Sequence, residues 1–221
     1  YPFPKTTVVQ GYAGMEYPMM ANDETYPDTT FSRFVAEHEI AHTWFPFHMG
    51  INESRYAFMD EGWATAFEYL IGTEDLGKET AEAFFKQFRV EPWITNPSGE
   101  GDLPIITPAN QLRNAAYGNN AYGKPALGYL ALKDMLGDPV FRKCLHGYIS
   151  RWNGKHPIPW DFFNSFNALS GQNLDWFWNN WYFANHYIDL AAEKPVANGS
   201  GYSLKVRNIG GMPAPFNMEI T

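Results

Sequence analysis

The sequence predicts a mainly α fold with a small β portion at its N-terminus, an α+β chain that closes on the start of a second, β-rich unit. Three observations carry that expectation. β-formers broken by Pro and Gly occupy residues 1–20, apolar residues recur at helical spacing from Phe31 to about residue 187, and an alternating stretch bracketed by Gly, Asn and Pro follows. The expected division is residues 1–192 for the main unit and 193–221 for the start of the second.

Taken in order, Thr6 to Gln10, then Gly11, Gly14 and Pro18, read as strand, turn and short strand. From Phe31 a helix has Phe34, Ile40, Ala41 and Phe45 available for one face. Asp28, Thr29 or Thr30 is its expected cap, and Pro46 its expected stop. A loop through Asn52-Glu53-Ser54 leads to a second helix from about Asp60, with Trp63, Phe67 and Leu70 on one face and Gly72 at its end. A third helix runs from about Lys78 to Arg89, before Pro92. Residues 92–110, rich in Pro, Gly, Asn and Asp, read as a long loop, a kind of segment that often carries function. Helical patterns return at 121–136, 139–152, 160–169 and 174–187. Tyr202 to Val206 alternates as a strand does. A lone strand leaves its edge groups unpaired, so the chain is expected to end inside a β-rich domain.

Composition narrows the function classes. Of the 221 residues 45% are hydrophobic and 17% aromatic, enough for a sizeable core, and most of the aromatic load is expected in it. A formal charge of −8 argues against a nucleic-acid surface, and the modest basic grouping of Lys143, His146 and Arg151 reads as a solvated helix face. The single cysteine, Cys144, rules out an intrachain disulfide or a cysteine metal cluster and is expected to be a small core residue. No apolar run approaches the roughly eighteen residues of a transmembrane helix. The start, Tyr1-Pro2-Phe3-Pro4, lacks the pattern of a signal peptide and does not begin with Met, as in a mature secreted protein or an excised fragment. The compartment stays open, with secreted or periplasmic favoured over cytoplasmic.

The chemistry concentrates at His38-Glu39-Ile40-Ala41-His42, which matches H-E-x-x-H. On a helix the two histidines share a face and can offer imidazole nitrogens to one ion, while Glu39 lies one step round, within reach of a water beside the metal. A catalytic zinc usually has three protein ligands and one open position. Glu61, 19 positions after His42, opens the second helix and is the candidate third ligand; Asp60 is an acidic alternative. An N-terminal helix carboxylate is also favoured by the macrodipole, so Glu61 has a purely structural reading as well. His48, His146, His156 and His186 lie at no ligand spacing and are left out.

H-E-x-x-H, eighteen intervening residues and a Glu in an acidic-Glu-Gly context resemble the zinc signature of the aminopeptidase N and leukotriene hydrolase family, gluzincins with a thermolysin-like catalytic domain. Ala13-Gly14-Met15-Glu16-Tyr17-Pro18 is similar to that family's G-x-M-E-N motif, and Tyr122-Gly123-Lys124-Pro125 to its Y-x-K-G motif. Asp175-Trp176-Phe177-Trp178-Asn179-Asn180-Trp181 resembles an aromatic helix near the end of its catalytic domain. Tyr17 stands where the first motif has Asn, and Pro125 where the second has Gly.

The resemblance implies one Zn2+ held by His38, His42 and Glu61, Glu39 as general base and later acid, and Tyr122 as hydrogen-bond donor to the oxyanion. Tyr117 is the runner-up for that last role, outside the Y-x-K context. It also implies Glu16 as the acceptor of a peptide's α-ammonium, with Gly14, Met15 and Glu16 binding substrate. The family's N-terminal β-domain does not precede these motifs here, which implies a fragment whose partners are peptide substrates and the rest of a longer parent chain. Three functions remain open: an aminopeptidase, a thermolysin-like endopeptidase, and a non-catalytic peptide-binding module that retains the fold.

Overall fold

In the computed structural model, residues 1–95, 102–214, 216, 218 and 219 are described. A three-stranded sheet opens the chain: β1 (Thr7–Gln10), β2 (Met15–Tyr17) and β3 (Met20–Asp23) in the order β1-β3-β2. β1 runs parallel to β3 and β2 antiparallel to it, with Glu16 opposite Ala21. The third strand lies beyond the strand, turn and short strand expected over residues 1–20. Alternation along β2 exposes Met15 and Tyr17 and turns Glu16 inward.

Helix α1 (Thr29–Ala41) is capped by Asp28, whose carboxylate accepts the backbone N–H groups of Thr30 and Phe31. It buries Phe34, His38 and Ala41, whereas Ile40 is only half-buried. α1 stops ahead of Pro46: Phe45 is already extended (φ −130°, ψ 110°), as a residue before proline prefers, and kinks the segment Thr43–His48. Phe45 is nonetheless core, stacked on Trp63.

After the short helix α2 (Glu53–Tyr56), α3 (Glu61–Asp75) packs along α1. Gly72 lies inside α3, correcting its expected place at the end. A Cβ there would collide with the ring of Phe34, so the glycine sets how closely the two helices approach.

The third helix is also longer than expected. α4 (Lys78–Phe85) passes through a wide turn, Lys86–Val90, into α5 (Glu91–Thr95). The winding slips just before Pro92, so the proline joins a new segment instead of ending the old one. Of the long loop expected over 92–110, residues 92–95 are therefore helical, Ala109–Gln111 forms a 3-10 turn, and 96–101 lie outside the described residues.

The remaining helices are α6 (Ala115–Gly118), α7 (Lys124–Leu136), α8 (Asp138–Trp152), α9 (Pro159–Ser170) and α10 (Asp175–Trp181). α10 ends well short of residue 187, because the Tyr182 carbonyl accepts the Ile106 N–H (2.9 Å) and Tyr187 pairs with Gly211.

Four short strands follow: β4 (Leu190–Ala192), β5 (Val196–Asn198), β6 (Gly201–Ser203) and β7 (Val206–Asn208). β4 pairs with β7 and β5 with β6, so the strand expected over 202–206 is broken at Leu204-Lys205.

The core is aromatic, as expected. Trp63 stacks on Tyr129 at 3.9 Å, and Phe162, Phe166, Phe177, Trp178 and Trp181 fill the space between α7, α8, α9 and α10. Each fully buried ring contributes on the order of 1.5–3 kcal/mol relative to exposure. Cys144 is buried among them, while Lys143, His146 and Arg151 are exposed. No helix of the described residues is long and apolar enough to cross a membrane.

Candidate active site

Helix α1 and its C-terminal cap present His38 and His42 one turn apart, their rings 4.8 Å between centroids. Its packing on α3 sets Glu61, the first residue of α3, against both. Glu61 Oε2 lies 3.0 Å from His38 Nε2 and 3.4 Å from His42 Nε2. One ligand atom from each of the three residues falls within 4.8 Å of the others, and all three are largely buried.

A further set of groups holds the imidazoles. His38 Nδ1–H donates to Glu68 Oε2 (3.2 Å), and Arg89 grips Glu68 with two hydrogen bonds, 3.0 Å from Nε and 2.6 Å from a terminal nitrogen. His42 Nδ1–H reaches Asp60 Oδ1 (2.7 Å) and the Phe45 carbonyl (2.9 Å). Asp60 therefore sits on the far nitrogen of His42, with Glu61 alone bridging the two Nε2 atoms. Neither Glu68 nor Arg89 was singled out from the sequence. The one available signal was Glu68 lying seven residues, two helical turns, beyond Glu61.

Two glycines draw the remaining pieces in. A Cβ on Gly62 would meet Pro125 at 2.9 Å, so α7 packs tightly beside Glu61. A Cβ on Gly123 would strike the Arg89 backbone, so the wide turn Asn119–Gly123 rests on the one at Lys86–Val90. Tyr122 rides on that turn, and its hydroxyl donates to Glu61 Oε1 (2.7 Å) with the Arg89 guanidinium 5.6 Å from its ring. Tyr117 also lines the cleft, its ring 6.2 Å from that of Tyr122. Lys124, next in the same motif, is bonded to Asp102 (2.7 Å) and the Leu103 carbonyl (2.9 Å) and anchors that segment.

Glu39 and Glu16 face the same cleft, of about 970 Å³, together with Gly14 and Met15. A Cβ on Gly14 would lie 2.5 Å from Glu39 Oε1, so the strand entering β2 closes directly over the acid. Glu39 Oε2 is buried with no hydrogen-bond partner. Burial pushes the Glu39 carboxyl up to about 7, against the pull of His38 and His42. Burial raises Glu16 too, with His42 opposing. For Glu61 burial acts upward, yet hydrogen bonds from His38 and His42 and their charges hold it below the usual carboxylate range. Glu68 is likewise lowered, Arg89 overcoming burial. Burial and then the charge of Glu61 raise the Tyr122 hydroxyl and keep it a donor.

The donor set fits a zinc ion. Both Nδ1 atoms are engaged, which fixes the tautomers and aims both Nε2 atoms at one carboxylate, and an unpartnered acid stands beside them. Two histidines and a glutamate are a known ligand set for catalytic zinc. The arrangement defines a candidate zinc-peptidase centre on a mainly helical fold.

Residues 15–181 match the peptidase family M1 domain, and the chain belongs to that family. Its fold is similar to the crystal structure of an M1 zinc metallopeptidase from Deinococcus radiodurans, with a TM-score of 0.61 and 22% identity, covering 81% of this chain and 39% of that one. A point mutant of an M1 zinc metallopeptidase from the same organism, bound to a Tyr-Ser-Ala substrate, matches at TM-score 0.57 and 22% identity over 79% of this chain and 38% of that one. A two-domain M1 zinc metallopeptidase mutant bound to L-tryptophan matches at 0.61 and 21% over 81% and 39%. The chain thus spans about two fifths of the length of these structures. A search of curated proteins finds no match.

Proposed function

We propose that this chain is the catalytic part of a zinc aminopeptidase, which hydrolyses the first peptide bond of a peptide with a free N-terminus. His38, His42 and Glu61 hold the metal in this reading. Bound there, zinc supplies Lewis acidity, polarising the scissile carbonyl and bringing the pKa of water to roughly 7.

The chain's own residues do the rest. Glu39, its carboxyl poised near neutrality, accepts a proton from the attacking water at its unpartnered oxygen and returns it to the leaving amine. The Tyr122 hydroxyl, now spent on Glu61 Oε1, is the donor for the oxyanion once substrate enters. Glu16 accepts hydrogen bonds from the α-ammonium, and Gly14 and Met15 offer backbone groups to the peptide as an edge. Residues 1–192 carry these groups in our division of the chain, and the segment 193–221 is tied back to them through β7 and Met212.

The observation that carries the exopeptidase reading is the buried carboxylate of Glu16, turned into the cleft beside Glu39 and His42. A peptide amine neutralises that charge; an internal peptide bond does not. Free and N-acetylated tripeptides test it. The free forms are expected to be cleaved and the acetylated forms spared, and equal cleavage of both would establish an endopeptidase instead.

A further inference from the structure

One wall of the cleft is aromatic and has no part in the chemistry above. Tyr26, Phe31, Phe84 and Phe88 line it beside Val35. Phe31 is the hub, with ring centroids 4.7 Å from Tyr26, 5.9 Å from Phe84 and 5.4 Å from Phe88. Phe84 and Phe88 lie 4.6 Å apart. None of the four rings belongs to the main core cluster, and Phe88 is 39% exposed. Four apolar rings grouped on a wetted wall favour an apolar ligand group there.

The cleft has a direction. Phe31, Val35, His38 and His42 follow one another on one face of α1, each about a turn from the last. The strand β2 and the residue before it keep pace: Gly14 abuts Val35 and Glu39, while Glu16 gathers with His42 and Glu39. Glu53 and Tyr117 line the same cleft, and both lie within electrostatic reach of Glu16. The cleft therefore has an acidic end at Glu16 and an aromatic end at Phe31, with the candidate metal ligands between them.

A peptide whose amine meets Glu16 and whose first carbonyl lies at His38 and Glu61 sends its next residue toward Phe31. From His38 to Phe31 is roughly 10 Å along the helix axis, a span covered by one extended residue of about 3.5 Å and a long side chain.

We propose that the Tyr26–Phe31–Phe84–Phe88 wall is the subsite for the residue just after the scissile bond, selecting peptides with an aromatic or large aliphatic second residue. This inference rests on the aminopeptidase reading of Glu16, which sets the direction of the substrate.

Calorimetry on the zinc-loaded Glu39→Gln chain, and on the same chain without metal, tests it with Ala-Ala-Ala, Ala-Phe-Ala, Phe-Ala-Ala and N-acetyl-Ala-Phe-Ala. Ala-Phe-Ala is expected to bind at least tenfold more tightly than Ala-Ala-Ala, about 1.4 kcal/mol, and more tightly than Phe-Ala-Ala. Adding Phe88→Ala, or separately Phe31→Ser, is expected to cut that advantage below about threefold on burial grounds. Equal affinity for Ala-Ala-Ala and Ala-Phe-Ala overturns the proposal, as does an advantage that survives both substitutions, a larger gain for Phe-Ala-Ala, or no binding by any peptide. Undiminished binding of the acetylated peptide with the second-position preference intact would reject the amine-binding role of Glu16 while the aromatic subsite stands.

Discussion

At the scale of single residues the site is a set of acids made different by their neighbours. Glu61 is hydrogen-bonded to two imidazoles, Glu68 is clamped by Arg89, and Glu39, its buried Oε2 without a hydrogen-bond partner, is pushed up by burial to about 7 against the pull of His38 and His42. Two substitutions separate the roles. Glu39→Gln keeps the shape of the cleft and is expected to retain zinc while kcat falls by about 10²–10⁴-fold. Steady-state rates beside metal content check this, and unchanged turnover removes Glu39 as the base. Glu68→Ala removes the acceptor of His38 Nδ1–H and strands the Arg89 charge, so zinc affinity is expected to drop about 10–100-fold. Titration against a chelator of known affinity reads it, and an unaltered Kd would reduce Glu68 to a packing residue. The grouping of His38, Glu39 and His42 was legible from spacing alone, because α1 and the residue that caps it carry all three. Glu68 and Arg89 were not: their partnership crosses from α3 to the wide turn after α4, and no local pattern announces it.

At the scale of elements, close approach between backbones does the positioning. Gly14 lets the strand before β2 lie on Glu39, and Gly72 lets α3 lie on Phe34. Gly14→Ala places a methyl 2.5 Å from Glu39 Oε1, which a mobile carboxylate can avoid only by leaving its place. Turnover is therefore expected to fall at least tenfold with little change in melting temperature, an estimate of about 1.4 kcal/mol on the barrier. Gly72→Ala does the reverse. Phe34 is fully buried and stacked on Phe84 at 3.9 Å, so it cannot yield, and about 1–3 kcal/mol of stability is expected to go. Denaturant unfolding of both variants distinguishes the cases. These glycines also explain what the sequence hid. Gly72 reads locally as a helix end, and only the ring across the interface shows why it sits inside one. The extent of α10 was misread for a related reason: Trp181 to Tyr187 keeps an apolar rhythm, but the Tyr182 carbonyl is claimed by Ile106 and Tyr187 is held by Gly211.

At the scale of the whole molecule the helices share a main aromatic core, and the segment after α10 is tied back to it. Met212 is buried within the main core cluster, far along the chain from the helices it touches. Met212→Ala is expected to cost about 2–5 kcal/mol, read as a lowered melting temperature, whereas a tail that merely hangs from the domain would tolerate the change. The helical class was legible because long apolar rhythms survive any tertiary arrangement. The small C-terminal sheets were less so, since three-residue strands leave too little alternation to read. The site draws its parts from one end of this body, β2, α1, α3 and the two wide turns that carry Arg89 and Tyr122.

Everything proposed for this cleft depends on where a metal binds. Among the described residues three triplets of imidazole and carboxylate groups compete on geometry: His38–His42–Glu61, Glu16–Glu39–His42 and Glu16–Asp60–Glu61. Anomalous diffraction at the zinc edge, on crystals of the zinc-loaded chain, decides among them. The expected result is one ion bound by His38 Nε2, His42 Nε2 and a Glu61 oxygen, with Glu39 beside it and not coordinating. An ion on either other triplet, or none at saturating zinc, would contradict the account.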